Sequence, residues 1–343
     1  MRIGFLGFGN MAQAIADGLL AGQTDLGQVA KGQGRGVLGQ VTQGNSDTQG
    51  SPEQRSLGPS GIATGQNPKR QWELAPTDSQ NPKWQWELAP TDSQNPKWQW
   101  GLAPTASQNP KRQWELAATA LHLDKLERNC QARGMRTLAN AADLVTWSDL
   151  VVLAVKPWQL TDLIPPLATC LQEKIVVSIA AGKTFDDLEA LIPGTSHITA
   201  LPNLPVAVGQ GLLICEERHS LQGQQLASFE EVFGQIAEIF YLPPDQFSAG
   251  ASISGCGPAF TGMYVEALAD VGVKHGLKRD LALSLAAKMT SGAGSLLATG
   301  LHPALLKDQV CSPGGTTIRG VIALERHGFR AAVTEAIDAI EGR

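Results

Sequence analysis

Two unbroken apolar runs, Leu150-Val-Val-Leu-Ala-Val155 and Ile175-Val-Val-Ser-Ile-Ala-Ala181, set the tightest limit on the fold of this chain. A strand that is apolar on both faces has to be covered on both, as a central parallel strand is between two layers of helices. Helical patterns alternate with these runs: 139–145 before the first, 159–171 after it with Pro165-Pro166 interrupting, and 185–191 after the second, with Thr184 as its cap. Residues 197–201 form a further strand. The expected fold class is α/β, with a Rossmann-type doubly wound sheet whose ligands sit at the C-terminal ends of the strands. Those ends are 7–12, 154–157, 180–182 and 202–203.

The chain opens on the first strand–helix unit. Arg2 to Leu6 is a short apolar run, Gly7-Phe8-Gly9-Asn10-Met11-Ala12 follows, and a helical pattern covers 14–20. In this G-x-G-x-x-A pattern Gly7 permits a tight turn, Gly9 lets a pyrophosphate approach, and Ala12 lets helix and strand pack closely. Asn10 and Met11 open the helix, whose N-terminus favours an anion. A strand-to-helix turn without a ligand is the plainer alternative.

The second strand is delayed. Residues 27–65 hold ten glycines and show almost no periodic apolar pattern. A fourteen-residue unit then repeats from Gln66, Gln80 and Gln94, with a decayed copy from Gln108, and these copies hold six of the eight tryptophans. A pair of prolines in each of the first three copies opposes both a helix and a central strand. Fourteen residues are also too few for a solenoid or propeller unit. Residues 27–113 therefore read as an irregular insertion, looped out near the expected adenosine ribose. The alternative is an arm whose Trp-Glu-Leu units act as short linear motifs. Residues 115–121 resume the second strand. Where Asp or Glu would read a ribose 2′-hydroxyl stand Ala120, Leu121 and His122, which favours NADP. His122 is either a phosphate neighbour or a plain helix start.

From Leu221 the pattern turns helical, over 224–240, 258–276, 279–300 and 302 onward. The expected domains are thus 1–220, interrupted at 27–113, and an all-helical 221–343. Ala267, Ala269, Gly272, Ala282, Ala286, Ala287, Gly292, Ala293 and Gly294 permit close helix–helix approach, which suits an interlocked homodimer; a monomeric bundle is the alternative. Within this half lies Ser312-Pro313-Gly314-Gly315-Thr316-Thr317-Ile318. Pro313 cannot sit deep in a helix, and Gly314 and Gly315 let the backbone come close to another group. Successive N–H groups then open the next helix, where they suit an anion. An ordinary helix corner with a threonine cap is the alternative.

A net charge of −5, with charged residues only 17% of the chain and no basic stripe, argues against nucleic acid as a partner. The odd number of cysteines, Cys130, Cys170, Cys215, Cys256 and Cys311, contains no C-x-x-C pair, which suits a reducing cytoplasm and argues against a zinc site. No signal peptide is evident, and no apolar run approaches the ~18 residues of a membrane span. A cytoplasmic protein acting on a small molecule, with no metal and no membrane partner, is expected.

In this order the segments resemble pyrroline-5-carboxylate reductases. The resemblance rests on Gly7-Phe-Gly-Asn-Met-Ala12, Ala154-Val-Lys-Pro157, Val177-Ser-Ile-Ala-Ala-Gly182, Leu201-Pro-Asn-Leu-Pro205, Ser254-Gly-Cys-Gly-Pro-Ala-Phe260 and the run from His302 to Ile318. It covers residues 1–26 and about 115–340. It implies a Rossmann-type domain, a helical domain that dimerises or assembles further, and reduction of 1-pyrroline-5-carboxylate to L-proline by NADPH, with NADH the alternative. It further implies that the Gly315, Thr316 and Thr317 amides, with Gly314 in their turn, grip the substrate carboxylate. The Thr317 hydroxyl would lie near the ring nitrogen, Ser312 would shape the turn, and Ala154, Val155, Lys156 and Asn203 would face the cofactor. Thr317 and Ser312 are the candidate catalytic residues; the proton donor is not named. Leu204 and Cys256 depart from the threonine and small residue common in this family.

Two other functions fit parts of the chain. A β-hydroxyacid dehydrogenase type of reductase would use a lysine on the helical domain, here Lys307, but the Ser-Pro-Gly-Gly corner is not part of that pattern. An inactive dinucleotide-binding scaffold with a repeat arm is the other.

Overall fold

The computed structural model describes residues 1–22 and 114–342. The expected insertion over 27–113 lies outside these residues. The first half runs β1 (Arg2–Leu6), α1 (Asn10–Ala21), β2 (Glu115–Thr119), α2 (Leu123–Gln131), β3 (Arg136–Thr137), α3 (Ala141–Trp147), β4 (Leu150–Leu153), β5 (Ile175–Ser178), α4 (Phe185–Leu191), β6 (Ser196–Pro202), β7 (Gly211–Glu216), α5 (Gln224–Phe233) and β8 (Ala237–Leu242). Between β4 and β5, Pro165 and Pro166 split the expected helix into the short pieces Leu160–Leu163 and Ala168–Leu171.

The sheet order is β3-β2-β1-β4-β5-β6-β7-β8. Strands β1 to β6 are parallel, β7 is antiparallel to β6, and β8 is parallel to β7. The 3-2-1-4-5-6 part is the dinucleotide-binding order, with its switch point between β1 and β4. Alternate residues of each strand feed two separate cores. Ile3, Phe5, Leu150, Val152 and Val177 pack beneath α1, while Leu6, Val151, Leu153 and Val176 pack with Leu144, Leu160 and Leu188.

Two strands correct the expected organisation. β7 was not expected, and the helix expected over 224–240 ends at Phe233. After the Gly234 cap, Ala237, Ile239 and Tyr241 turn inward while Glu238 and Phe240 are exposed, a period of two that makes this stretch an edge strand. The sheet thus continues to Leu242, past the boundary expected at 220.

The helical half holds α6 (Pro244–Lys274), α7 (Arg279–Ala298), α8 (Pro303–Val310), α9 (Thr316–Arg326) and α10 (Phe329–Glu341). α6 begins well before the expected position 258 and passes through Pro258. α6 and α7 meet over small residues: Ala269, Ala282 and Ala286 are buried, and a Cβ on Gly272 would come within 2.9 Å of the Ala282 Cβ. By length and composition α7 is apolar enough to cross a membrane, although Lys288 interrupts every long apolar run in it. In the single chain its apolar stripe Leu281, Leu285, Met289 is exposed.

Gly22, at the end of α1, and Trp114, before β2, lie beside one side chain. Gln235 Oε1 accepts from Trp114 Nε1 at 3.5 Å and stands 3.6 Å from where a Cβ of Gly22 would be. This is the start of β2, where Glu115 N bonds Met1 O; the other end of the strand meets the glycine turn through Gly7 N and Thr119 O. Five strand residues, roughly 16 Å, separate the two. The start of β2 is therefore at the opposite end of the strands from the crevice. A crossover helix begins at the ligand edge and ends at the other.

Candidate active site

The crevice forms where β1 and β4 diverge. Gly7 has φ +91°, and a Cβ there would lie 2.8 Å from the Ala154 carbonyl oxygen and 2.9 Å from Val155 Cγ1. Only glycine fits this close passage between the ends of the two strands. Gly9 is the N-cap of α1, and a Cβ on it would meet nothing within 4 Å, so its backbone faces open space. Ala12 is buried against the sheet, Met11 is half-buried and Asn10 exposed at the helix start. The glycine pattern thus builds a cradle with free amides at the end of a twelve-residue helix, which fits a dinucleotide pyrophosphate. Ala154 and Val155 flank it and Lys156 is exposed beyond, where its amide donates to Gln159 Oε1 at 3.0 Å. At the end of β2, Ala120 is half-buried, while Leu121 and His122 are exposed, with His122 the N-cap of α2.

Asn203, expected to face the cofactor, is buried just past the end of β6. It is 5% exposed and both ends of its amide are engaged: Oδ1 accepts from Leu212 N at 2.8 Å, and Nδ2 donates to Ser254 O at 3.2 Å. The second bond follows from Pro258. A proline in a helix cannot donate to the carbonyl four residues earlier, and that carbonyl belongs to Ser254. Asn203 supplies the missing donor. It thereby fastens the end of β6 to β7 and to α6. The turn after it is anchored from below, since a Cβ on Gly18 of α1 would overlap Val206 O. Finding this pair takes the proline in α6 and the asparagine 55 positions earlier together, and nothing local to Asn203 signals it.

The expected corner forms between α8 and α9. Gly314 has φ +70°, Gly315 is the N-cap of α9, and Gly315 N donates to Ser312 O at 3.0 Å. Ser312 Oγ lies so close over Gly315 that a Cβ there would overlap it. Thr316 and Thr317 open α9 and are exposed. α9 packs on α10, and α10 on α6. The cradle groups Gly7, Gly9 and Ala154 come together, and the corner groups Ser312, Gly314, Gly315, Thr316 and Thr317 come together. None of the described hydrogen bonds joins the two sets. Lys307 is partly exposed and paired with Asp308, whose carboxylate holds the ammonium above its usual pKa. A polar hollow of about 590 Å³ lies at the start of β6, lined by residues including Glu189, Thr195, Arg218 and Ser220, and none of the expected site residues lines it.

Comparison with known proteins decides between the functions this geometry admits. The chain is 41% identical over 225 residues to the pyrroline-5-carboxylate reductase of Treponema pallidum, covering 64% of this chain and 85% of that protein. The chain belongs to the pyrroline-5-carboxylate reductase family. The family's soybean (Glycine max) member is 41% identical over 212 residues, covering 61% of this chain and 77% of its own length. Residues 244–343 match the pyrroline-5-carboxylate reductase dimerisation family, whose first residue coincides with the start of α6, and 106–182 match the NADP oxidoreductase, coenzyme F420-dependent family. Among solved structures, a Plasmodium falciparum pyrroline carboxylate reductase with NADP bound has a TM-score of 0.66 at 19% identity, covering 99% of this chain and 95% of that one. The Streptococcus pyogenes 1-pyrroline-5-carboxylate reductase has a TM-score of 0.65 at 21% identity, covering 99% and 96%. These two likenesses bear out the Rossmann-type sheet followed by a helical domain.

Proposed function

We infer that this chain reduces 1-pyrroline-5-carboxylate to L-proline with a nicotinamide dinucleotide as hydride donor. The observation that carries the reading is 41% identity over 85% of a pyrroline-5-carboxylate reductase, with both the glycine cradle and the Ser312–Thr317 corner in place. The bound cofactor supplies a hydride to the C=N carbon while the imine nitrogen carries or takes up a proton, leaving an amine and the oxidised cofactor. The protein has to hold the two reactants close, exclude water and neutralise the carboxylate. The cradle at Gly7, Gly9, Asn10, Met11 and Ala12 would hold the pyrophosphate, with Ala154, Val155 and Lys156 lining the route toward the nicotinamide. The amides of Gly315, Thr316 and Thr317 would hold the carboxylate, with the Thr317 hydroxyl near the ring nitrogen. NADPH is the preferred donor, since Ala120 stands where an acid would read the ribose 2′-hydroxyl; a structural relative is described with NADP bound.

The corner and the cradle belong to different halves. The exposed corner and the exposed apolar stripe of α7 support a homodimer in which the second copy covers both. The five free cysteines suit a reducing cytoplasm. NADPH oxidation in the presence of 1-pyrroline-5-carboxylate tests the reading. Proline formed in step with NADPH consumed is the expected result, and absence of turnover in the full chain would overturn it in favour of an inactive dinucleotide-binding scaffold.

A further inference from the structure

Strand β2 is built from the fourth copy of the fourteen-residue repeat. Trp114-Glu-Leu-Ala-Ala-Thr119 matches Trp72-Glu-Leu-Ala-Pro-Thr77, Trp86-Glu-Leu-Ala-Pro-Thr91 and Trp100-Gly-Leu-Ala-Pro-Thr105. In the sheet Trp114, Leu116 and Ala118 are buried on the α1 side, and Ala117 is buried on the other. The earlier copies keep the tryptophan, the leucine, the first alanine and the threonine. Within the buried positions they differ at one, carrying Pro76, Pro90 or Pro104 where β2 has Ala118.

Ala118 is a place where proline cannot go. Glu115 N bonds Met1 O and Gly7 N bonds Thr119 O, so odd-numbered residues of β2 face β1 in the ladder. Ala118 faces β3 instead, accepting from Leu138 N at 3.0 Å, and its own N–H points to the same side. A proline here removes that donor and thrusts its ring toward β3, from a position with no solvent exposure.

We propose that Ala118 selects which of the four copies becomes β2, with proline excluding the other three, and that this choice also sets the cofactor preference. The second half rests on the dinucleotide reading. After the threonine, the first two copies carry Asp78 and Asp92 where β2 is followed by Ala120. Either copy in the place of β2 would bring a carboxylate to the position that reads the ribose 2′-group.

The test uses the full chain with hydrogen exchange read peptide by peptide. Pro90→Ala alone frees the second copy to compete. Its use would stretch the three-residue link Ala120–His122 to α2 by the 28 residues that separate copies two and four. Loop closure then disfavours the new register roughly twentyfold, so this variant stays close to the unaltered chain. Ala118→Pro alone is expected to abolish slow exchange over 116–119 and to lower the soluble yield. Ala118→Pro with Pro90→Ala is expected to recover soluble protein, with slow exchange now in the peptide spanning 86–91. A double variant no better than Ala118→Pro, or an Ala118→Pro chain that keeps slow exchange over 116–119, would overturn the selection. In the rescued protein the NADH-to-NADPH ratio of kcat/KM is expected to rise on the order of tenfold; an unchanged ratio would overturn the link to cofactor choice. The exchange arm is independent of catalysis, so its outcome is separable from that of the reductase reading.

Discussion

The two halves of the chain bury their apolar residues in different ways. In the nucleotide-binding half Ile3, Phe5, Leu150, Val152, Phe229 and Phe233 are sealed within the same chain. In the helical half no residue of α8, α9 or α10 is buried, and α7 buries only Ala282 and Ala286. Leu281, Leu285 and Met289 recur at a spacing of four along α7 and face outward, as do Met263 and Val271 on α6. Exposed apolar residues repeated along a helix in this way suit a helix–helix interface. The first half specifies its own core, whereas the second specifies one side of a core.

Charging the α7 stripe is the hardest test of that contrast. Leu285→Asp with Met289→Asp removes about 2 kcal/mol of burial per side chain and places unpaired charge in the contact. Sedimentation is expected to show monomers and turnover to fall at least ~100-fold, while calorimetric NADPH binding stays within a few-fold. Full turnover by a monomer would make the halves independent. Gly7→Ala should do the reverse: backbone strain and the overlap with Ala154 are expected to weaken NADPH binding ~10–100-fold, with the oligomer intact. Thr317→Ala should act on the substrate side alone, lowering kcat/KM for the imine acid by roughly tenfold with NADPH affinity unchanged.

Asn203 joins the halves and allows a sharper measurement. Asn203→Ala leaves the Ser254 carbonyl without a donor and is expected to cost about 1–3 kcal/mol in denaturant unfolding. With Pro258→Ala the helix can supply its own N–H to that carbonyl, so the Asn203→Ala penalty should shrink in this background. Equal penalties in both backgrounds would dissociate the two residues. The smallest effect belongs to α4. Asp187 is held below the usual carboxylate range, first by the backbone N–H of Thr184, an effect larger than its partial desolvation, and then by the Thr184 hydroxyl and Lys183. A depressed folded pKa contributes stability above the unfolded value and loses it as pH falls through the folded one. Asp187→Asn should therefore cost under ~1 kcal/mol at neutral pH, because the carboxylate is partly solvated, and the difference should vanish in acid.

Much of the fold was legible because one residue type admits few local structures. The apolar runs at β4 and β5 could only be central strands, Thr184 had to cap α4, and the glycine turn and the Ser312–Thr317 corner announced themselves by composition. β8 was not legible. Ala237–Leu242 continues a helical pattern by composition, and pairing with β7 in the sheet overrides that propensity. β7 itself, Gly211-Leu-Leu-Ile-Cys-Glu216, lies between Pro202 and the α5 helix with no local feature that demands a strand.

The sequence by itself determined a parallel sheet opened by a glycine turn and a Ser-Pro-Gly-Gly helix corner, because glycine, proline and β-branched residues restrict the backbone wherever they occur; the family followed from the resemblance of its motifs in order. Tertiary structure decided what depends on residues far apart in the chain. It gave Asn203 the carbonyl freed by Pro258. It also left the α7 stripe without a cover in the single chain. Four near-identical copies of one sequence differ at Ala118, and it is this residue that faces the neighbouring strand β3.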